Sequence, residues 1–278
     1  MNPIATADRF QTLAKMGYLA RGAVYLVIGG LAVMAALGKG GDTTDSKGAI
    51  VEIMHQPFGI FLLIALVVGL FGFVVWRLTQ AIKDTDAHGT SAKGIAVRTG
   101  LFASAISHGL LALWTIKVLL GKENRSQGGE QFLAGEPGQI IIGVAGLIFV
   151  GTGFAHIYKG WTASFERNMH IPPDKNSWAK PLCQFGLISR GIVWCIIAWF
   201  CITSALSAKS GEIKGIADAL ELLRESPQGI WLFGIVAAGL FAFGVYSIFE
   251  AMYRRINVDT DAKQGVENMA AAPNAHIK

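Results

Sequence analysis

Apolar residues gather in six long runs, at about 13–37, 59–82, 98–120, 139–164, 182–206 and 229–253, with polar stretches between them. Each run is rich in Gly, Ala, Leu, Ile, Val and Phe, without the strict alternation that marks a half-buried strand or a barrel. Roughly 20 mostly apolar residues carry a helix across a bilayer core, where every backbone polar group must find its partner internally. The pattern predicts an all-α fold, a polytopic membrane protein with six transmembrane helices. The first run follows a short polar leader containing Asp8 and Arg9 and reaches Leu37 with no A-x-A-like cleavage site, so a retained helix is expected rather than a removable signal peptide.

Residue spacing sorts these runs into three related pairs. Gly17, Arg21, Tyr25 and Gly29 of the first recur as Gly186, Arg190, Trp194 and Ala198 in the fifth, and as Gly100, Ser104, His108 and Ala112 in the third. In the even runs, Gly69, Trp76, Gln80 and Ala81 correspond to Gly151, Tyr158, Thr162 and Ala163, and to Gly239, Tyr246, Glu250 and Ala251. Pro57-Phe58-Gly59 leads into the second run and Pro227-Gln228-Gly229 into the sixth, with Pro137-Gly138 as a looser counterpart. Three tandem two-helix hairpins are expected at 10–83, 84–167 (degenerate) and 178–255, forming one membrane domain, with a disordered cytoplasmic tail at 256–278.

The opening "YLARGAVYLVIG", the Pro-Phe-Gly lead-in, the Gly-Leu-Phe…Trp/Tyr…Ala ending and the threefold repetition resemble the DUF1206 family of bacterial six-helix membrane proteins. The resemblance covers about residues 10–255, and its most specific motif is Arg-Gly with an aromatic three positions after the Gly. The middle copy departs from it, with Ser104-Ala105 in place of Arg-Gly and His108 in place of the aromatic. The resemblance implies an architecture, and no activity to transfer residue by residue.

Composition agrees with a lipid solvent: 15% of residues are charged and the mean hydropathy is +0.46. Placing the N-terminus, the second and fourth connections, the C-terminal tail and the adjoining helix ends on one face gives it 16 Lys/Arg and 9 Asp/Glu, against 8 and 10 opposite. By the positive-inside rule that face is cytoplasmic, so the expectation is a bacterial inner (plasma) membrane protein with both termini inside. The net charge of +5 then calls for no nucleic acid; anionic headgroups are the expected partners. Cys183, Cys195 and Cys201 show no CxxC spacing and read as small packing residues, not as disulfide or zinc ligands.

The candidate chemistry lies at the repeated positions. Residues four apart share a helix face. If equivalent helices face one axis, Arg21, Ser104 and Arg190 form one layer and Tyr25, His108 and Trp194 a deeper one, and two arginines together need an anion. Glu250, four residues before Arg254, is the internal candidate; a lipid phosphate or a small ligand are the others. A second reading is open: Arg21 lies six residues past Lys15 and can snorkel to the headgroups, as can Arg77 and Lys159, while the glycines and aromatics serve packing. His108 and His156 lie at similar depth, which admits a two-histidine haem or a proton path, although no CxxCH motif is present.

"KGAIVEIMHQPFG" (47–59) and "KGIADALELLRESPQG" (214–229) read as short amphipathic segments on the outer interface, a signature that 121–139 lacks. Enzyme signatures such as GxSxG, a P-loop or HExxH are absent, and the Gly-rich runs fall inside spans. The expectation is a non-enzymatic membrane protein, without a cofactor or metal, that binds or passes a small anionic or lipidic ligand at the repeat interface. The alternative is an accessory or assembly subunit, with a membrane-protein partner or a second copy of itself.

Overall fold

The structure is a computed structural model and describes residues 3–39, 41, 43–86, 88–122, 136–206, 216–225 and 229–255. The tail at 256–278 and most of the 121–139 connection lie outside the described residues. The chain forms helices α1 (Pro3–Ala36), α2 (Ser46–His55), α3 (Gly59–Lys83), α4 (Ala92–Leu119), α5 (Glu136–Trp161), α6 (Pro173–Leu206), α7 (Ile216–Glu225) and α8 (Gly229–Tyr253), with one 3₁₀ turn at Ser164–Arg167. Six of these, α1, α3, α4, α5, α6 and α8, are long and apolar enough to cross a membrane, as the hydrophobic pattern predicts. The protein is a multi-pass membrane protein of the all-α class.

The two short helices, α2 and α7, fall where the amphipathic segments are expected. Asp45 caps α2 by accepting the Lys47 and Gly48 amides, each at 2.9 Å, which satisfies two otherwise orphaned donors. Gly59 and Gly229 then start α3 and α8 so close to the preceding helix that any Cβ there would strike the carbonyl oxygens of Met54 and Arg224 respectively. That crowding explains why both lead-ins end in glycine. The fifth span begins earlier than the hydrophobic run indicates, because Pro173 suits a first helical position, Asp174 sits favourably in the first turn, and the helix continues through Pro181.

Around the bundle, α4 packs on α3, α3 on α1, α1 on α8, α8 on α6, and α6 on α5. Lipid tails are as apolar as leucine, so close backbone approach must hold such neighbours together. Gly17 supplies it in the first hairpin: an added Cβ would lie 2.5 Å from Phe73 Cβ. Gly186 does the same in the third, against the backbone of Phe243. Phe73 and Phe243 occupy equivalent repeat positions, four residues past Gly69 and Gly239.

The middle hairpin breaks this rule. Its counterpart of the two phenylalanines is Ala155, and nothing lies within 4 Å of the Cβ positions of Gly100 or Gly151. No extended packing joins α4 to α5. Their central windows are accordingly only 17% buried, against 61% for α8. The first and third hairpins are shut and the middle one stands open.

Gly17→Ala and Gly186→Ala should each cost about 1–3 kcal/mol through overpacking, whereas Gly100→Ala and Gly151→Ala should cost nothing. Thermal unfolding in mild detergent checks this, and equal losses at all four positions would contradict the open middle hairpin.

Candidate functional site

Among the buried positions of α1, one row runs Ala14, Tyr18, Arg21, Tyr25, Ile28, Ala32, spaced alternately by four and three residues. Such spacing is that of a helix–helix seam, and Arg21 lies on it. The partner seam on α8 contains Leu240, Phe243, Ser247 and Glu250, and Arg254 continues it one residue past the helix end. Arg21 therefore turns inward, only 5% exposed, and the snorkelling reading does not hold for it.

A chain of charge-assisted hydrogen bonds starts there. Arg21 donates from Nη2 to Glu250 Oε2, and from Nε to Ser247 Oγ at 3.1 Å. The other Glu250 oxygen accepts from Arg254 Nη1 at 2.9 Å, and Arg254 Nη2 reaches Asp86 Oδ2 at 3.0 Å. Asp86 also accepts from Gln80 Nε2 at 2.7 Å, and Gln80 Oε1 accepts from Arg77 Nη1 at 2.9 Å. The buried Tyr18 ring underlies this chain, 5.1 Å from the Arg21 guanidinium and 5.5 Å from that of Arg254, with its hydroxyl fixed by Trp76 Nε1 at 3.0 Å. First and third hairpins are thus joined by ions as well as by packing.

Beside the chain, at the end where α1 begins and α8 finishes, lies a cavity of about 510 Å³. Its walls carry Arg21, Arg77, Lys159, Arg167 and Arg254 but only two carboxylates, Asp86 and Glu250. Arg77 stacks on Phe73 at 4.7 Å and Lys159 lies 5.6 Å from the centre of the Tyr246 ring. Neither forms an ion pair among the described residues. The snorkelling reading does not hold for these two either, since both line the cavity.

Two connections shape the cavity's rim. Asp84 takes a left-handed conformation, φ +51°, and its carboxylate accepts the His88 amide at 2.8 Å and the Gly89 amide at 2.6 Å. Those amides hold its carboxyl below the ordinary range and fix the loop that presents Asp86 and His88. On the other side, His170 N donates to Tyr253 O at 3.0 Å and Arg255 N to Asn168 O at 2.9 Å, strapping the α5–α6 connection to the end of α8.

Of the seven residues singled out from sequence, Arg21 and Glu250 line the cavity. Arg190 and Tyr25 lie next to it, around the cavity-lining Phe243. The Arg190 guanidinium is 4.2 Å from the centre of the Phe243 ring and 4.8 Å from that of Tyr25, and Tyr25 meets Phe243 edge-on at 4.9 Å. Arg190 is 8% exposed, its Nε lacks a hydrogen-bond partner, and it has no ion pair among the described residues. Repeat geometry explains this: as α1 packs on α8, so α6 packs on α5, and where α8 offers Glu250, the residue just after α5 is Thr162, which donates to Tyr158 O, 2.7 Å away.

Trp194 packs on Phe149 at 4.8 Å, next to Arg190 at 5.7 Å. Ser104 and His108 sit on α4, which packs on α3, so the expected three-membered layers do not assemble. His108 stacks on Phe73 at 4.6 Å and its Nδ1–H donates to Ser104 O at 2.8 Å. His156 Nδ1–H likewise donates to Thr152 O at 2.8 Å, and its ring lines the cavity. Sequence reasoning missed Arg77, Lys159, Arg254 and Asp86 as members of one cluster. The signal available was the seam spacing on α8, which already placed Ser247, Glu250 and Arg254 on one face.

A buried ion network and a cationic cavity, set in a six-helix membrane bundle of three hairpins, define the class. The model of the family described as "Domain of Unknown Function (DUF1206)" matches residues 16–84, 99–163 and 185–254, one match for each hairpin, and the chain belongs to that family. Among its relatives is "Uncharacterized protein YxxB" of Bacillus subtilis (strain 168), 30% identical over 258 residues that cover 90% of this chain and 94% of the relative. No solved structure matches the chain.

Glu250→Gln should destabilise the protein by about 3–5 kcal/mol, since it strands two buried arginines; adding Arg21→Gln should recover part of the loss. Unfolding titrations of the two single variants and the double variant measure the coupling, and additive effects would contradict a direct buried pair. A depressed carboxyl keeps its contribution until the pH falls through its lowered value. The His88 and Gly89 amides should therefore stay protected from hydrogen exchange below pH 3.8, the ordinary value for Asp84. Loss of protection at that ordinary value would contradict the loop geometry.

Proposed function

We propose that this protein binds an anionic, phosphate-type group in the cavity beside the Arg21–Glu250 pair, and that it does so without catalysing a reaction. The observation that carries this reading is the charge count: five cationic side chains line the cavity and two carboxylates answer them. Arg77 and Lys159 are half-buried without an ion pair among the described residues, whereas Arg167 is exposed; holding the first two within a membrane domain is costly, and a bound anion offsets that cost. Arg77 and Lys159 are the groups left for the ligand, because Arg21 and Arg254 are spent on Glu250 and Asp86. Arg190 adds a further positive field behind Phe243. The uneven share of basic residues supports a plasma-membrane location with both termini in the cytoplasm, which sets the cavity at the inner end of the bundle.

Charge-assisted hydrogen bonds contribute about 1.5–3 kcal/mol each, so replacing both Arg77 and Lys159 with Gln should lower occupancy at least tenfold. Native mass spectrometry of protein extracted gently from its own membrane reads this directly. The expected result is a bound anionic mass on the wild type that the double variant loses. An undiminished mass on the variant, or a stoichiometric protein partner with no anion on the wild type, would overturn the reading, the second in favour of an accessory subunit.

A further inference from the structure

We infer that the ligand is an anionic glycerophospholipid that reaches the cavity sideways, between α4 and α5. The inference rests on the anion-binding reading and adds the ligand's class and its route. Three hairpins share one sequence plan, and two are closed by a glycine on the odd helix set against a phenylalanine on the even one, Gly17 with Phe73 and Gly186 with Phe243. In the third case the glycine is kept as Gly100, the phenylalanine is replaced by Ala155, and the helices stay apart. Ala155 itself lines the cavity, so the missing ring lies where the cavity meets the space between the helices.

That opening is flanked by Val97 and Leu101 of α4 and by Ala155 and Tyr158 of α5, all within membrane-spanning helices. A soluble anion has no use for an apolar cleft in this place; it reaches the cationic end past the connecting loops. A molecule that fills both parts must join a negative headgroup to hydrocarbon chains. The excess of cations selects an anionic headgroup over a zwitterionic one. The headgroup then lies against Arg77 and Lys159, and the acyl chains leave through the gap.

The test uses the full chain in mild detergent, with added palmitoyl-oleoyl phosphatidylglycerol, the matching phosphatidylcholine and inorganic phosphate as probes, read by native mass spectrometry and thermal shift. Ala155→Phe restores the ring that closes the other two hairpins. It should weaken phosphatidylglycerol binding at least tenfold and reduce any response to inorganic phosphate far less, while Ala155→Ser, which adds little bulk, should retain phosphatidylglycerol binding. Gly100→Phe, approaching from α4, should repeat the loss and stands in should Ala155→Phe not fold. Phosphatidylglycerol bound as tightly by both phenylalanine variants as by wild type would overturn the lateral route. Binding of inorganic phosphate but not phosphatidylglycerol by wild type, or equal binding of phosphatidylcholine, would overturn the lipid assignment. If Arg77→Gln with Lys159→Gln kept both anionic probes, the anion-binding reading itself would fail.

Discussion

Glu250 holds two buried arginines at once, one through each carboxylate oxygen, and the terminal half of the bundle is arranged around that grip. Its worth as net stability is small, because desolvating three charges consumes most of what their attraction returns. Its value is in fixing position. Arg21 belongs to the first helix and Glu250 to the last, so the pair sets the rotation of α1 against α8, and Arg254 extends the constraint to the loop after α3 through Asp86. Within lipid, where apolar contact does little to choose one helix pairing over another, such a pair selects the register.

The repeats show how a site arises from broken symmetry. One packing plan is used three times: the third and fifth spans lie against the even span before them, and the first lies against the sixth. At the equivalent contacts the chain offers an arginine with a glutamate, an arginine with a threonine, and a serine with a glutamine. The first is neutralised, the second leaves Arg190 to aromatic rings, and the third carries no charge. Positive charge therefore accumulates beside the one hairpin that does not close. Neither departure alone makes a site, but together they place unmatched cations next to an opening.

Much of this fold was legible in the sequence. Six apolar runs, the Pro-Gly lead-ins and the spacing of Gly17, Arg21 and Tyr25 made helix number and the threefold repeat readable, because length and periodicity are local properties; packing was not readable, since α4 and α5 stay apart while α1 lies on α8. Glu250 was identifiable as the inward partner of Arg21 from charge and depth. Arg77 and Lys159 were not, since a long cation near a helix end reads the same whether it snorkels outward or turns in, and only the azimuth set by neighbouring helices decides between them. The true start of α6 was hidden because Pro181 resembles a boundary. Ser104, His108 and Ala155 marked the middle hairpin as divergent, yet that divergence became an opening only when Gly100 and Gly151 were seen to face nothing.

The most direct measurement is a cryo-electron microscopy map of the protein in nanodiscs of palmitoyl-oleoyl phosphatidylglycerol. Density for a phosphate between Arg77 and Lys159, continuous with acyl density that leaves between α4 and α5, is the expected result. A map in which α4 and α5 pack shut, or in which Arg77 and Lys159 point to the headgroup layer outside an empty cavity, would contradict it.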